Sequence, residues 1–170
     1  MPPLVARICK EIREINECHD REAANETGLV AHEIIRKHMM CVDSDVCPIV
    51  NQYKPYTSED IQAIRDIMVE HIENNPLSRE IDSFFDTLAD LGDSSLKPFF
   101  EKYLEEYLSR ALVSSGCLCS LAFALSLLGE DILESGTQGT YEHAQNISQA
   151  YNYCKKKKIP LTFFDKKPIW

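Results

Sequence analysis

From Val113 to Gly129 the chain reads VSSGCLCSLAFALSLLG, without a single charged residue. Apolar residues fall on every face of the helix that this run would form, so no stripe marks one buried side. A membrane span needs about 20 such residues, and acidic Glu130 and Asp131 close the run short of that. In a small soluble protein, a helix that is apolar all round must be wrapped on all sides by others. It is therefore the expected central helix. Only six glycines occur in 170 residues. That leaves few backbone hinges for a turn-rich β-sandwich and favours helices joined by short polar loops.

The surrounding sequence supplies candidates for the wrapping helices, giving seven helical segments in all. Leu4, Val5, Ile8, Ile12 and Ile15 recur at three- and four-residue steps and predict an amphipathic helix from Leu4 to about Cys18. The polar stretch His19 to Thr27 is expected to interrupt it. A second helix is predicted from about Thr27 to Met40, with Leu29, Val30, Ile34, Ile35, His38 and Met39 as its stripe. Asp43 to Tyr56, carrying Pro48 and Pro55, reads as a loop. Thr57 and Asp60 have capping-box spacing and open a third helix containing Ile61, Ile64, Ile67, Met68 and Ile72, which Asn74-Asn75-Pro76 stops.

Ser78 is the expected cap of a fourth helix, with Ile81, Phe84, Phe85 and Leu88 inward and Gly92 at its end. Asp93 or Ser94 caps a fifth, in which Phe99, Phe100, Tyr103, Leu104, Tyr107, Leu108, Ala111 and Leu112 cover one broad side. The last helix is predicted from about Tyr141 to Lys157, with Ile147, Ala150, Tyr151 and Cys154 on its face. After Pro160, the residues Leu161, Phe163, Phe164, Ile169 and Trp170 read as one more apolar turn packed on the core.

Length fits one domain with a real core, and 44% apolar against 26% charged residues excludes disorder and fibrous repeats. The net charge of −9 repels phosphate backbones, so nucleic acid is not an expected partner. The basic run Lys155 to Lys158 reads as a solvated helix end near the negative pole. Met1-Pro-Pro-Leu-Val has no basic region followed by an apolar run, so no signal peptide is expected. Seven cysteines, an odd set, are then most simply reduced thiols of a cytosolic protein. Cys117-Leu-Cys119 without a second pair is a weak metal signal, and no metal or cofactor is expected. His32 and His38, six apart, fall on different helix faces and read as surface histidines.

A charge-free central helix within amphipathic ones is the layout of the Bcl-2 family of apoptosis regulators, and several stretches resemble that family. Tyr103 to Ser135 is similar to its BH1 region. There Glu106-Tyr-Leu-Ser-Arg110 stands for a Glu-Leu-Phe-Arg-like run and Ser114-Ser-Gly-Cys117 for Asn-Trp-Gly-Arg, with Gly116 retained. Ile147 to Trp170 resembles BH2, a helix followed by Pro, two aromatic or aliphatic residues, an acid and a final Trp. Thr27 to Met39 looks like the BH4 helix. Ile61-Gln-Ala-Ile-Arg-Asp66, followed by Met68, resembles the family's own BH3 motif with Arg65 where glycine is usual. Leu88 to Asp93 matches the letters better but lies too near Ser114-Ser-Gly116 for two helices to intervene.

The resemblance spans residues 27 to 170 of one domain, 1 to 170, with residues 1 to 20 as an additional N-terminal helix. Degenerate motifs, a short first loop and no transmembrane anchor in this sequence suggest a viral member. The fold implied is an all-α, Bcl-2-like bundle, its hydrophobic central helix wrapped by amphipathic ones. The implied function is anti-apoptotic sequestration of BH3 helices from pro-apoptotic partners. The implied location is cytoplasmic, or peripheral at the mitochondrial outer membrane.

A ligand helix lays apolar residues at i, i+3 or i+4 and i+7 into a groove. The resemblance places that groove among the third, fourth and fifth helices and the start of the central one. Its lining would be Ile64, Met68, Phe84, Phe85, Leu88, Phe100, Tyr103, Leu104, Tyr107, Gly116, Leu118 and Leu121. Plain core packing is the alternative for each aromatic. Cys117 stands where the family has an arginine that pairs with the ligand's aspartate. Loss of a hydrogen bond to a charged group, about 1.5–3 kcal/mol, weakens binding about 10- to 100-fold. Four buried anchors contribute about 6–12 kcal/mol before ordering costs, so binding survives with a narrow ligand range. Arg110 is a candidate replacement for the missing charge.

Other readings stay open. The same fold could be pro-apoptotic, or could form a homodimer through its groove. Cys117 at a helix N-terminus could be an activated thiolate of a small enzyme. However, no histidine is placed beside it by sequence, and no phosphate loop, His-Glu-x-x-His or Gly-x-Ser-x-Gly occurs, so no enzyme is expected. A helical scaffold without a peptide ligand is the third.

Overall fold

A computed structural model describes residues 1–15, 21–53, 55–75, 82–108, 115–132 and 143–159. The chain is all-helical: seven α-helices and two short 3-10 turns, with no strand among the described residues. It divides into two compact units, Met1–Leu91 and Gly92–Trp170.

The first unit opens with α1, Pro3–Glu14, which starts on prolines that need no N–H partner. Leu4, Val5, Ile8 and Ile12 are buried against α3 and α2, as their spacing predicts, and Cys9 is buried with them. The helix stops earlier than the expected Cys18. Ile15 is already extended, at φ −64° and ψ 124°, and Cys18 lies outside the described residues.

Helix α2 runs from Arg21 to Met40, starting six residues before the expected Thr27. From Arg21 onward the polar stretch is helical, and His19 lies outside the described residues. Glu22, Ala23, Ala24 and Glu26 are good helix formers, and Ala24 and Thr27 are themselves buried. Thr27 Oγ1 donates to Glu11 Oε2 at 3.3 Å, tying α2 to α1. The buried stripe is also rotated from the expected one. Val30, Ala31, Ile34 and Ile35 point inward, whereas Leu29 is 41% and Met39 52% exposed. Counting apolar letters misled here, because alanine and threonine carry the stripe in the N-terminal half.

The segment after α2 is a fixed structure. Asn51 Nδ2 donates to the Ser44 carbonyl at 2.8 Å, and Asn51 Oδ1 accepts from Ser44 N at 2.9 Å and Lys37 Nζ at 2.7 Å. Cys47 N donates to Ser44 Oγ, and the Tyr56 hydroxyl donates to the Val50 carbonyl within the 3-10 turn Pro48–Gln52. Helix α3, Ser58–Asn74, begins on the expected capping box. Asp60 N donates to Thr57 Oγ1 at 3.3 Å, and Thr57 N donates to Asp60 Oδ2 at 2.9 Å. Helix α4, Asp82–Ala89, packs on α2 and α3, and Gly92 just beyond it takes φ +59°. Ser78 and Ile81 lie outside the described residues.

In the second unit Asp93 Oδ1 accepts from Ser95 N at 2.9 Å, so it caps a 3-10 turn, Ser94–Leu96, before α5, Lys97–Leu108. Helices α5, α6 (Ser115–Leu127) and α7 (His143–Lys157) pack against one another. Ala111, Leu112 and the residues from Pro160 onward lie outside the described residues.

Among the described residues, α6 is not covered all round. Cys117, Leu118, Leu121, Ala122, Ala124 and Leu125 are buried, but Phe123 is 41% and Leu127 50% exposed. The buried tyrosine of α7 is Tyr153, while Tyr151 is half-buried beneath the Lys155 ammonium. Gly129, at φ +83°, ends α6 with Glu130 N bonded to the Leu125 carbonyl.

Glu130 joins the second unit's helices. Its side chain, 12% exposed, pairs with Lys97 at the start of α5 and with Lys157 at 2.6 Å on α7. The Tyr153 hydroxyl lies 2.9 Å from Glu101 and 3.2 Å from Glu130. Lys157, then Lys97 and Tyr153, hold the Glu130 carboxyl down to about 2. Glu130→Gln keeps the shape, removes the negative charge that faces two ammoniums, and is expected to destabilise by about 1–2 kcal/mol in urea denaturation. Because the folded value lies below that of the unfolded chain, this stabilisation is complete above about pH 4.5 and disappears as pH falls towards 2.

Candidate functional site

The expected groove residues divide between the units. In the first, Ile64 and Met68 on α3 and Phe84, Phe85 and Leu88 on α4 are buried, none more than 1% exposed. The Phe84 ring meets His71 edge-on, with centroids 5.4 Å apart. In the second, Phe100, Tyr103, Leu104 and Tyr107 on α5 and Cys117, Leu118 and Leu121 on α6 are at most 2% exposed. Phe99 packs edge-on to both Phe100 and Tyr103. Gly116 is the second residue of α6, and Arg110 lies outside the described residues. All of the side chains described here serve as core in this conformation, so a ligand reaches them only as their helices yield.

Helix α3 carries the residues of the BH3-like stretch on two faces. Ile61, Ile64 and Met68 are buried, while Asp66 is 59% exposed and paired with Arg65 at 2.8 Å. Leu88 to Asp93, the competing match, runs off the end of α4 through Gly92 and forms no continuous helix face.

The cysteines are mostly enclosed. Burial pushes the Cys154 thiol up to about 12, with Glu105 and Glu101 adding to the effect. Burial likewise raises Cys9 and Cys47. Cys117 is 1% exposed, so reagents have little access to it. Among the described residues no group of three or more His, Cys, Asp or Glu could hold a metal ion. No helix among them is long and apolar enough to cross a membrane.

The described residues of the first unit enclose several cavities. One of about 300 Å3 between α1 and α2 is lined by Arg7, Glu11, Glu14 and Glu26 with Ile15 and Val30. One of about 360 Å3 between α2 and α4 is lined by Gly28, Leu29, His32, Ser83 and Thr87. A third, also about 360 Å3, lies at the C-terminal end of α2 among Lys37, His38, Cys41, Asp43, Pro55 and Tyr56.

Neither histidine is a free surface group. His38 Nδ1 lies 2.8 Å from the Tyr56 carbonyl, and His32 Nε2 lies 2.5 Å from Asp90 Oδ2 beyond α4. The hydrogen bond to Asp90 raises the His32 pKa, with Asp90 and Glu33 charges adding and burial opposing. A raised folded value means the contribution is complete below about pH 6.5 and is lost as pH rises through the folded value. Urea midpoints of the native chain are therefore expected to fall across that window relative to those of His32→Gln, which should show no such step.

Sequence reasoning missed the third cavity and the apolar side chains beside it. The signal was present in Met39-Met-Cys-Val42 and Val46, apolar letters placed where a helix gives way to a loop. Comparison with protein-family models, with curated proteins and with solved structures found no match.

Proposed function

We propose that this chain is a pro-survival regulator of the Bcl-2 type that sequesters BH3 helices of pro-apoptotic partners, with the apolar side chains of α5 and α6 among those that take the ligand. The observation that carries the reading is α6 and its setting. A 13-residue helix without a charged residue follows an aromatic-rich helix and packs against it and α7. The buried apolar face of the BH3-like α3 adds support. Because the candidate side chains are buried, capture replaces internal apolar contacts with those of the ligand. With Cys117 in place of an arginine, few ligands should bind strongly enough.

Calorimetric titration of the purified chain with a panel of BH3 peptides tests the proposal. Submicromolar binding of even one supports it, and its absence across the panel overturns it. The self-associating alternative draws on Phe123 and Leu127, an exposed i, i+4 apolar pair on α6. A monomer at all accessible concentrations would eliminate it.

A further inference from the structure

We infer that the exposed side of α6 is the docking site of the chain's own C-terminal segment, the apolar residues that follow Pro160. Cys119, Phe123 and Leu127 stand four residues apart and so line up on one side of the helix. Phe123 and Leu127 are 41% and 50% exposed and Cys119 is half-buried. Cys117, Leu118, Leu121, Ala122, Ala124 and Leu125, on the other sides, are buried. No residue of α6 carries a charge, so what the stripe offers an occupant is apolar contact.

The end of α7 delivers the segment to this stripe. Lys157 and Lys156 pair with Glu130 at 2.6 Å and with Asp131 at 3.1 Å. Glu130 lies three residues beyond Leu127, so α7 ends beside the Leu127 end of the stripe. There Lys158 takes φ +58° and Ile159 N donates to the Cys154 carbonyl at 2.9 Å, a helix stop that turns the chain out of the path of α7. Eleven residues follow Ile159, among them Leu161, Phe163, Phe164, Ile169 and Trp170. They reach about 16 Å as a helix or about 36 Å extended, against about 12 Å from Leu127 to Cys119.

Size and tethering favour this occupant over a second copy of the chain. The stripe presents three apolar side chains, where a stable dimer takes about 20–30 residues a side. A segment tethered beside its seat acts at an effective concentration of about a millimolar, far above that of another molecule in dilute solution.

Each side of the contact carries its own reporter, because Trp170 is the chain's single tryptophan and Cys119 lies in the stripe. Iodide quenching of Trp170 fluorescence and iodoacetamide alkylation of Cys119, read by fragment mass spectrometry, are measured on the full chain. No BH3 peptide is present, so the outcome is independent of the capture proposed above. Leu127→Asp, at a position already 50% exposed, is expected to raise quenching of Trp170 to the level of the urea-unfolded chain. Phe163→Ser combined with Phe164→Ser is expected to speed alkylation of Cys119 about fivefold, equivalent to about 1 kcal/mol. Native Trp170 that is quenched as readily as in urea, or a variant that leaves the opposite reporter unchanged, overturns the inference. Protection that disappears on dilution overturns it as well and makes the occupant a second copy.

Discussion

Phe84→Ala is expected to destabilise the chain by about 3–5 kcal/mol, lowering the thermal midpoint by about 10 °C. The ring is 1% exposed and fixed on two sides. His71 of α3 meets it edge-on at 5.4 Å. Gly28 of α2 lies so close that an added Cβ would stand 3.4 Å from Phe84 Cε1 and 3.1 Å from Ser83 Oγ. Removing the ring deletes its apolar burial and leaves a cavity whose walls belong to separate helices, which relax only in part. Urea denaturation measures the loss. Hydrogen exchange should place it first in α2, α3 and α4, and a cost below about 1 kcal/mol would contradict this packing.

Leu121→Asp and Phe123→Asp, two residues apart on α6, should differ by about 3 kcal/mol or more. Leu121 is fully buried, and an aspartate there loses the leucine's burial and must be desolvated without a partner, a combination expected to cost more than about 4 kcal/mol. Phe123 is 41% exposed, so its carboxylate would remain in water and cost about 1 kcal/mol or less. Similar large losses at both positions would mean that α6 is enclosed all round.

That contrast also marks where sequence reading stopped being sufficient. Helix order followed from apolar spacing and from punctuation such as the Thr57–Asp60 box and Gly92, because those signals are local and the structure keeps them. The charge-free run announced a helix without saying how much of it would be covered, since coverage depends on which helices pack against it. Among the described residues of the second unit, α5 and α7 do so. The start of α2 was hidden because alanine and threonine carry the buried stripe there. Leu29 and Met39 looked like core by composition, yet the helix phase set by Ala31, Ile34 and Ile35 turns them outward.

The candidate site was legible as a list of apolar residues, and nearly all of those described are buried. Apolar spacing is the same for a core residue and for a residue lining a groove, so the sequence could not separate the two roles. The network of Lys37, Asp43, Ser44 and Asn51 was invisible for a different reason. It is made of ordinary loop residues whose meaning lies in their mutual distances. The Glu130 network has the same character, joining residues far apart in sequence whose partnership no spacing rule encodes.

Chemical-shift mapping of the labelled chain during addition of a BH3 peptide tests the central claim most directly. Capture as proposed should perturb Phe100, Leu104, Tyr107 and Leu118 most strongly, with slowed amide exchange in α5 and α6. Shifts confined to Met39 through Tyr56, or none at all, would contradict capture of BH3 helices by those residues.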